Sequence, residues 1–150
     1  MRTIKFRGIG KRTGTWIYGN LIQLGGAYII SPIYDKYEVV PDHSTEYALG
    51  FHEDEFDVIE PDSLGQFAGL LDKNGKEIYE GDYIEVRKNG FGGVVTWHPH
   101  GYFYIKELYK FKYDEEADCL PLGEFIYDTK CEATITIVDN MHDNPELLND

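Results

Sequence analysis

The chain has 150 residues, 42% of them hydrophobic, and carries a formal net charge of −13 at pH 7. That length fits one domain or two small ones, and a chain of this size buries about 68–70% of its unfolded surface. No stretch approaches the roughly 20 apolar residues of a membrane-spanning helix, and two cysteines are too few for a disulfide framework.

The opening Met1-Arg2-Thr3-Ile4-Lys5 lacks the apolar run of a signal peptide, so a cytoplasmic protein with free thiols at Cys119 and Cys131 is expected. Twelve Tyr, eight Phe and sixteen Gly favour short strands and turns over long helices. The charge is segregated along the chain. Residues 1–12 hold Arg2, Lys5, Arg7, Lys11 and Arg12 with no acid, whereas residues 42–62 hold eight acids and no base. Residues 114–150 hold eleven acids against Lys130 alone. A solvated acidic surface is the simplest reading of the acids. The sharper one is a surface that imitates a nucleic-acid phosphate track and engages a basic partner. Binding of nucleic acid itself is disfavoured, because it relies on Lys and Arg displacing counterions from phosphates. The basic patch of residues 1–12 is the one place that could still support it.

Strand patterns dominate from the start. Ile4-Lys5-Phe6-Arg7 alternates apolar and basic side chains, as a half-buried strand does. Thr15-Trp16-Ile17-Tyr18, Leu21-Ile22-Gln23-Leu24 and Ala27-Tyr28-Ile29-Ile30 read as three further strands, separated by Gly19-Asn20 and Gly25-Gly26. Residues 37–40 suggest another strand, stopped by Pro41, and residues 42–60 read as a loop or linker with a strand at 56–59. This makes residues 1–60 an N-terminal β-meander region and residues 61–150 a second domain.

Asp62-Ser63-Leu64-Gly65 follows Pro61 and offers a capping side chain, which predicts a single turn of helix there. The hairpin at Asp72-Lys73-Asn74-Gly75 has two candidate turns. A two-residue turn would oppose Lys73 to Lys76 and Asp72 to Glu77, both like-charged pairs. A three-residue loop instead pairs Asp72 with Lys76, places Gly75 in the left-handed region and sets Leu70 across from Ile78. The three-residue loop is therefore expected. Gly81-Asp82 makes the next corner, followed by a strand at Tyr83-Ile84-Glu85-Val86, a glycine-rich loop over residues 88–93, and Val94-Val95-Thr96-Trp97. His98-Pro99-His100-Gly101 turns the chain into a strand over residues 102–105. Residues 131–137, which include Cys131, alternate for one more strand, with Cys131 buried. Asn144-Pro145-Glu146 opens one short C-terminal helix.

The second half has the pattern of an SH3-like small β-barrel, and the whole chain is expected to be all-β. Two-residue periodicity points Ile84, Val86, Val95, Trp97, Phe103 and Ile105 inward. On that reading Trp97→Ala would cost about 3–5 kcal/mol. Tyr102 and Tyr104 then face outward, where the N-terminal meander of the same chain could cover them or they could offer a surface to a sister subunit or a partner protein.

The text GQFAGLLDKNGKEIYEGDYIEV, followed by GVVTW and a C-terminal DNPELL, resembles the YopX family of phage and prophage proteins, as does the opening IKFRGIGKRTGTWIYG. The resemblance spans nearly the whole chain. It implies an all-β protein with an SH3-like barrel, encoded by phages or prophages and working in the bacterial cytoplasm, and it transfers no catalytic or binding residue. The matching Gly65, Gly69, Gly75, Gly81 and Asp82 read as turn-makers. The chain departs from the usual pattern in its acidic stretch at 44–60 and at His98-Pro99-His100.

Residue patterns that chemistry would need are sparse. His98 and His100 could supply two metal ligands, with His142, Cys119 or an acid to complete a site, but their spacing shows no convergence. Cys119 and Cys131 are too far apart in sequence for a zinc ribbon or redox pair. Asp72-Lys73-Asn74-Gly75 has its glycine misplaced for a calcium loop, and Glu115-Glu116 lacks a neighbouring base. No cofactor is expected. The reading that follows is a non-catalytic protein-binding module of phage origin. A nucleic-acid-binding module using residues 1–12 is the alternative, with a metal-dependent enzyme around His98 and His100 behind it.

Overall fold

The computed structural model describes residues 3–31, 57–86, 91–106, 121–125 and 135–148. The all-β class holds: among the described residues ten strands pair in antiparallel sheets, and the helical elements are single 3-10 turns. None of the described helices is long and apolar enough to cross a membrane. The chain forms two compact units, Ile4–Leu64 and one that takes in Gly65–Asp150.

In the first unit, β1 (Phe6–Ile9), β2 (Trp16–Leu24), β3 (Ala27–Ser31) and β4 (Asp57–Val58) lie in the order β4-β3-β2-β1. The expected break at Gly19-Asn20 does not occur. Instead β2 runs unbroken through both residues, with Gly19 opposite Phe6 of β1 and Asn20 opposite Ser31 of β3. The physical reason is pairing on both sides: one half of a long strand bonds β1, the other half bonds β3, and Gly19 is buried where a turn would be exposed. Gly25-Gly26 does turn the chain, pairing Leu24 with Ala27.

Residues 57–60 are held from two directions. Ile59 N–H donates to Tyr28 O at 2.8 Å, while Lys11 N–H donates to Val58 O at 2.8 Å and Glu60 N–H to Ile9 O at 2.9 Å. The outer strands of the meander are thereby tied together around buried Ile30 and Ile59. The strand expected at 37–40 lies outside the described residues.

In the second unit, β5 (Gly65–Leu71) and β6 (Glu77–Tyr79) form a hairpin, and β7 (Asp82–Val86), β8 (Phe91–His98), β9 (Tyr102–Lys106) and β10 (Ile135–Asn140) form a four-stranded sheet in the order β10-β7-β8-β9. The three-residue loop is present: Asp72 N–H donates to Lys76 O at 2.8 Å, Gly75 N–H donates to Asp72 O at 3.0 Å, and Gly75 sits at φ 80. The Leu70–Ile78 pair is displaced by a bulge. Leu71 faces Glu77 and Phe67 faces Tyr79, so β5 carries extra residues between them, with Gly69 at φ 83. Gly65 serves close approach rather than a turn, since a Cβ there would meet Glu80 O at 2.5 Å.

The closed SH3-like barrel is replaced by an open sheet, because β9 and β10 stand at opposite edges and do not pair. Its core consists of Ile78 from the hairpin, Ile84, Val86, Val95, Phe103, Ile105 and Ile135 from the sheet, and Leu122 from the 3-10 turn Leu122–Phe125. Five of the six residues expected to point inward are buried. Trp97 is the exception, 42% exposed. It occupies the inward face, opposite Phe103, but at the end of β8 the sheet no longer covers it. The short C-terminal helix is present as a 3-10 turn at Pro145–Leu148. Residues 87–90, 107–120 and 131–134, with Cys119, Cys131 and Glu115-Glu116, lie outside the described residues.

Candidate functional site

The turn His98-Pro99-His100-Gly101 joins β8 to β9 and sorts their side chains onto two faces. Gly101, at φ 92, donates its N–H to His98 O at 2.8 Å, and His98 faces Tyr102 across the ladder. Strict alternation from that pair sends Thr96, His98, Tyr102 and Tyr104 to the outer face, and Val95, Trp97, Phe103 and Ile105 to the inner one.

On the outer face the imidazole of His98 organises the aromatic groups. It stacks on Tyr102 with ring centroids 4.6 Å apart and 12° between planes, and meets Tyr104 edge-on at 5.3 Å. Its Nδ1 accepts the His100 N–H at 3.2 Å. Both tyrosines are therefore half-buried and engaged with a neighbour. His98 and His100 rings lie 4.8 Å apart, yet the Nδ1 of His98 is already taken by backbone. Among the described residues no group of three or more His, Cys, Asp or Glu side chains could hold a metal.

The inner face has a different character. The Trp97 indole packs edge-on against Phe103 at 4.9 Å and stands at the side of a groove of about 200 Å3. Ala68 and Leu70 of β5, Phe103 of β9, and Pro121 and Leu122 also line it. A half-exposed tryptophan over an apolar groove is the arrangement of a contact surface: the ring offers a large area to a partner with few rotamers to freeze. Sequence periodicity placed Trp97 on the correct face and missed its exposure. The Pro121-Leu122-Gly123 wall carries no periodic signal in the sequence.

The basic residues near the N-terminus do not converge. Arg7 is buried, with its guanidinium 4.6 Å over the Trp16 ring. Lys11 pairs with Glu60 at 3.9 Å, Lys5 is half-buried, and Arg2 lies outside the described residues. Arg12 is exposed, and its backbone N–H donates to both Asp57 carboxylate oxygens at 3.1 Å.

Two buried acids hold turns in place: Asp72, expected at the first position of its loop, and Asp57, which the sequence reading did not single out. Asp57 also accepts the N–H and hydroxyl of Thr13, at 2.9 and 3.1 Å. Burial pushes its carboxyl up, but the Thr13 and Arg12 hydrogen bonds and the Arg12 charge outweigh that and hold it below the usual range. Asp72 does the same for the hairpin. Its Oδ1 accepts Asn74 N–H at 2.8 Å and Lys76 N–H at 2.9 Å, and its Oδ2 reaches Ile137 N–H of β10 at 3.3 Å. Burial again opposes ionisation, and these bonds again prevail, leaving the carboxyl below its ordinary value. The sequence signal was present in both cases: an acid inside or beside an apolar alternation, where a solvated one would be out of place. Asp82, 1% exposed, accepts Tyr79 N–H at 2.8 Å and fixes the Gly81 corner.

No curated protein matches this chain. The family described as YopX protein matches residues 5–149, and the turns at Gly75 and Gly81 that carry the resemblance have the geometry their glycines suggested. With nearly the whole chain covered, the protein belongs to the YopX family.

Proposed function

We propose that this chain is a non-catalytic, phage- or prophage-encoded protein that acts in the bacterial cytoplasm by binding another protein through the Trp97 groove. The observation that carries the reading is the exposed Trp97 indole beside Ala68, Leu70 and Leu122. An indole exposed over an apolar depression gains the burial of both surfaces when a partner covers them. The net charge of −13 adds long-range attraction for a basic partner and repulsion of nucleic acid. The dispersal of the N-terminal cations, with Arg7 buried and Lys11 paired, further weakens a nucleic-acid interface.

The test is a comparison of two baits, the native chain and Trp97→Ala, in bacterial lysate at low and moderate salt. A protein retained by the native bait at stoichiometric yield and lost with the variant is the expected result. Identical retention by both baits removes the groove as the contact surface. Retardation of single- or double-stranded nucleic acid at low salt would replace the reading with a nucleic-acid one.

A further inference from the structure

Asparagine followed by glycine is the dipeptide in which a side-chain amide cyclises most readily, because no Cβ hinders approach of the glycine nitrogen to the amide carbon. The β5–β6 turn carries such a pair, Asn74-Gly75, and both residues are exposed to solvent. Asp72 holds each group that the reaction needs. Gly75 N–H, which must lose its proton to attack, donates to Asp72 O at 3.0 Å. The Asn74 amide, which carries the carbon to be attacked, donates from Nδ2 to Asp72 Oδ2 at 3.2 Å. That bond ties the side chain to residue 72 rather than leaving it to rotate over the Gly75 nitrogen. Asn74 N–H donates to Asp72 Oδ1 at 2.8 Å, so rotation of the backbone about Asn74 also breaks hydrogen bonds. The turn is itself anchored to β10, through Lys73 N–H to Ile135 O at 3.0 Å and Ile137 N–H to Asp72 Oδ2 at 3.3 Å.

We propose that Asn74 is a spontaneous deamidation site kept latent by Asp72, released only when the turn leaves β10, and that its product prevents the turn from docking as before. Gly75 N, deprotonated by solvent base, bonds to Asn74 Cγ, and the Cγ–Nδ2 bond breaks as Nδ2 takes up a proton and departs as ammonia. Water then opens the cyclic imide at either carbonyl, giving aspartate or isoaspartate, and nothing is oxidised or reduced. Either product puts a carboxylate where an amide donor faced Asp72 Oδ2, replacing a hydrogen bond by like-charge repulsion. Isoaspartate also routes the main chain through Cγ, which lengthens the loop by one carbon and displaces Gly75 N–H from Asp72 O. This chemistry is independent of the Trp97 groove.

The full chain, its Asp72→Ala variant and a capped peptide of residues 72–77 are incubated in mildly alkaline buffer. Peptide mapping follows the gain of about 1 Da at Asn74. It also resolves that site from Asn89-Gly90, a second such pair that lies outside the described residues. The native chain should convert Asn74 at least about tenfold more slowly than the peptide, and Asp72→Ala should recover most of that difference. Equal rates in the native chain and the peptide overturn the proposal, as does a folded Asp72→Ala that converts no faster than the native chain. If that variant fails to fold, amide hydrogen exchange of the native chain decides. Both reactions need the open turn, so the slowing of Gly75 exchange should match the slowing of deamidation within about threefold, and a larger mismatch overturns the proposal. Asn74→Asp stands for one product. Its Lys73 amide, which bonds Ile135 O, should exchange at least about fivefold faster than in the native chain, and unchanged exchange overturns the effect on docking.

Discussion

Asp57 and Asp72 are shielded from water, and each stays ionised because backbone N–H groups replace the solvent. A carboxylate so held contributes more than a neutral hydrogen-bond acceptor, so Asp72→Ala should cost about 2–3 kcal/mol. Urea unfolding at pH 7 measures this, and a loss under about 1 kcal/mol would mean the turn and β10 hold together without it. Trp97 belongs at the same scale. Being 42% exposed and touching Phe103 on one side, it should lose about 2 kcal/mol on truncation to alanine, less than a fully buried tryptophan. A loss near 4 kcal/mol would return it to the core and undo its role as a contact surface.

At the scale of elements, the legible parts were those where local chemistry leaves one solution. The like-charge penalty selected the three-residue loop at Asp72, and the structure has it, with Gly75 at φ 80. Substituting Gly75 by alanine forces a Cβ into the left-handed region at about 1–2 kcal/mol, although no atom lies within 4 Å of that Cβ. Differential scanning calorimetry of Gly75→Ala should show the lower melting temperature with no change in cooperativity. Two-residue alternation also gave the inward face of β7, β8 and β9. What could not be read was long-range. Gly19-Asn20 looks like a turn in isolation, and becomes strand only because β1 and β3 claim opposite halves of β2. The open sheet was illegible for a similar reason: nothing local to β9 or β10 states that they will not meet. The wall of the groove at Pro121 and Leu122 comes from a 3-10 turn too short to show a period.

For the whole molecule, the dependence of stability on pH combines two opposed effects. Asp57 and Asp72 have carboxyls held below the ordinary range, so as the pH falls the unfolded chain takes up their protons first. Their contribution is complete above the ordinary carboxylate range and is lost as the pH drops below it, through the folded values. The net charge of −13 acts from the other side, since mutual repulsion of the acids lowers stability at neutral pH and eases as the charge falls toward the sequence pI of about 4.7. Stability should therefore peak near pH 5, fall steeply below about pH 4, and decline gently toward pH 8. Salt separates the two branches. Raising ionic strength from roughly 0.01 to 0.5 M shortens the screening length severalfold and should raise the melting temperature at pH 8, with little gain at pH 5. On the acid branch, Asp72→Asn should flatten the fall in urea-derived stability between pH 4 and pH 3, because the variant has one fewer proton to take up on unfolding. A native-like acid slope in that variant would assign the acid sensitivity to carboxyls other than Asp72.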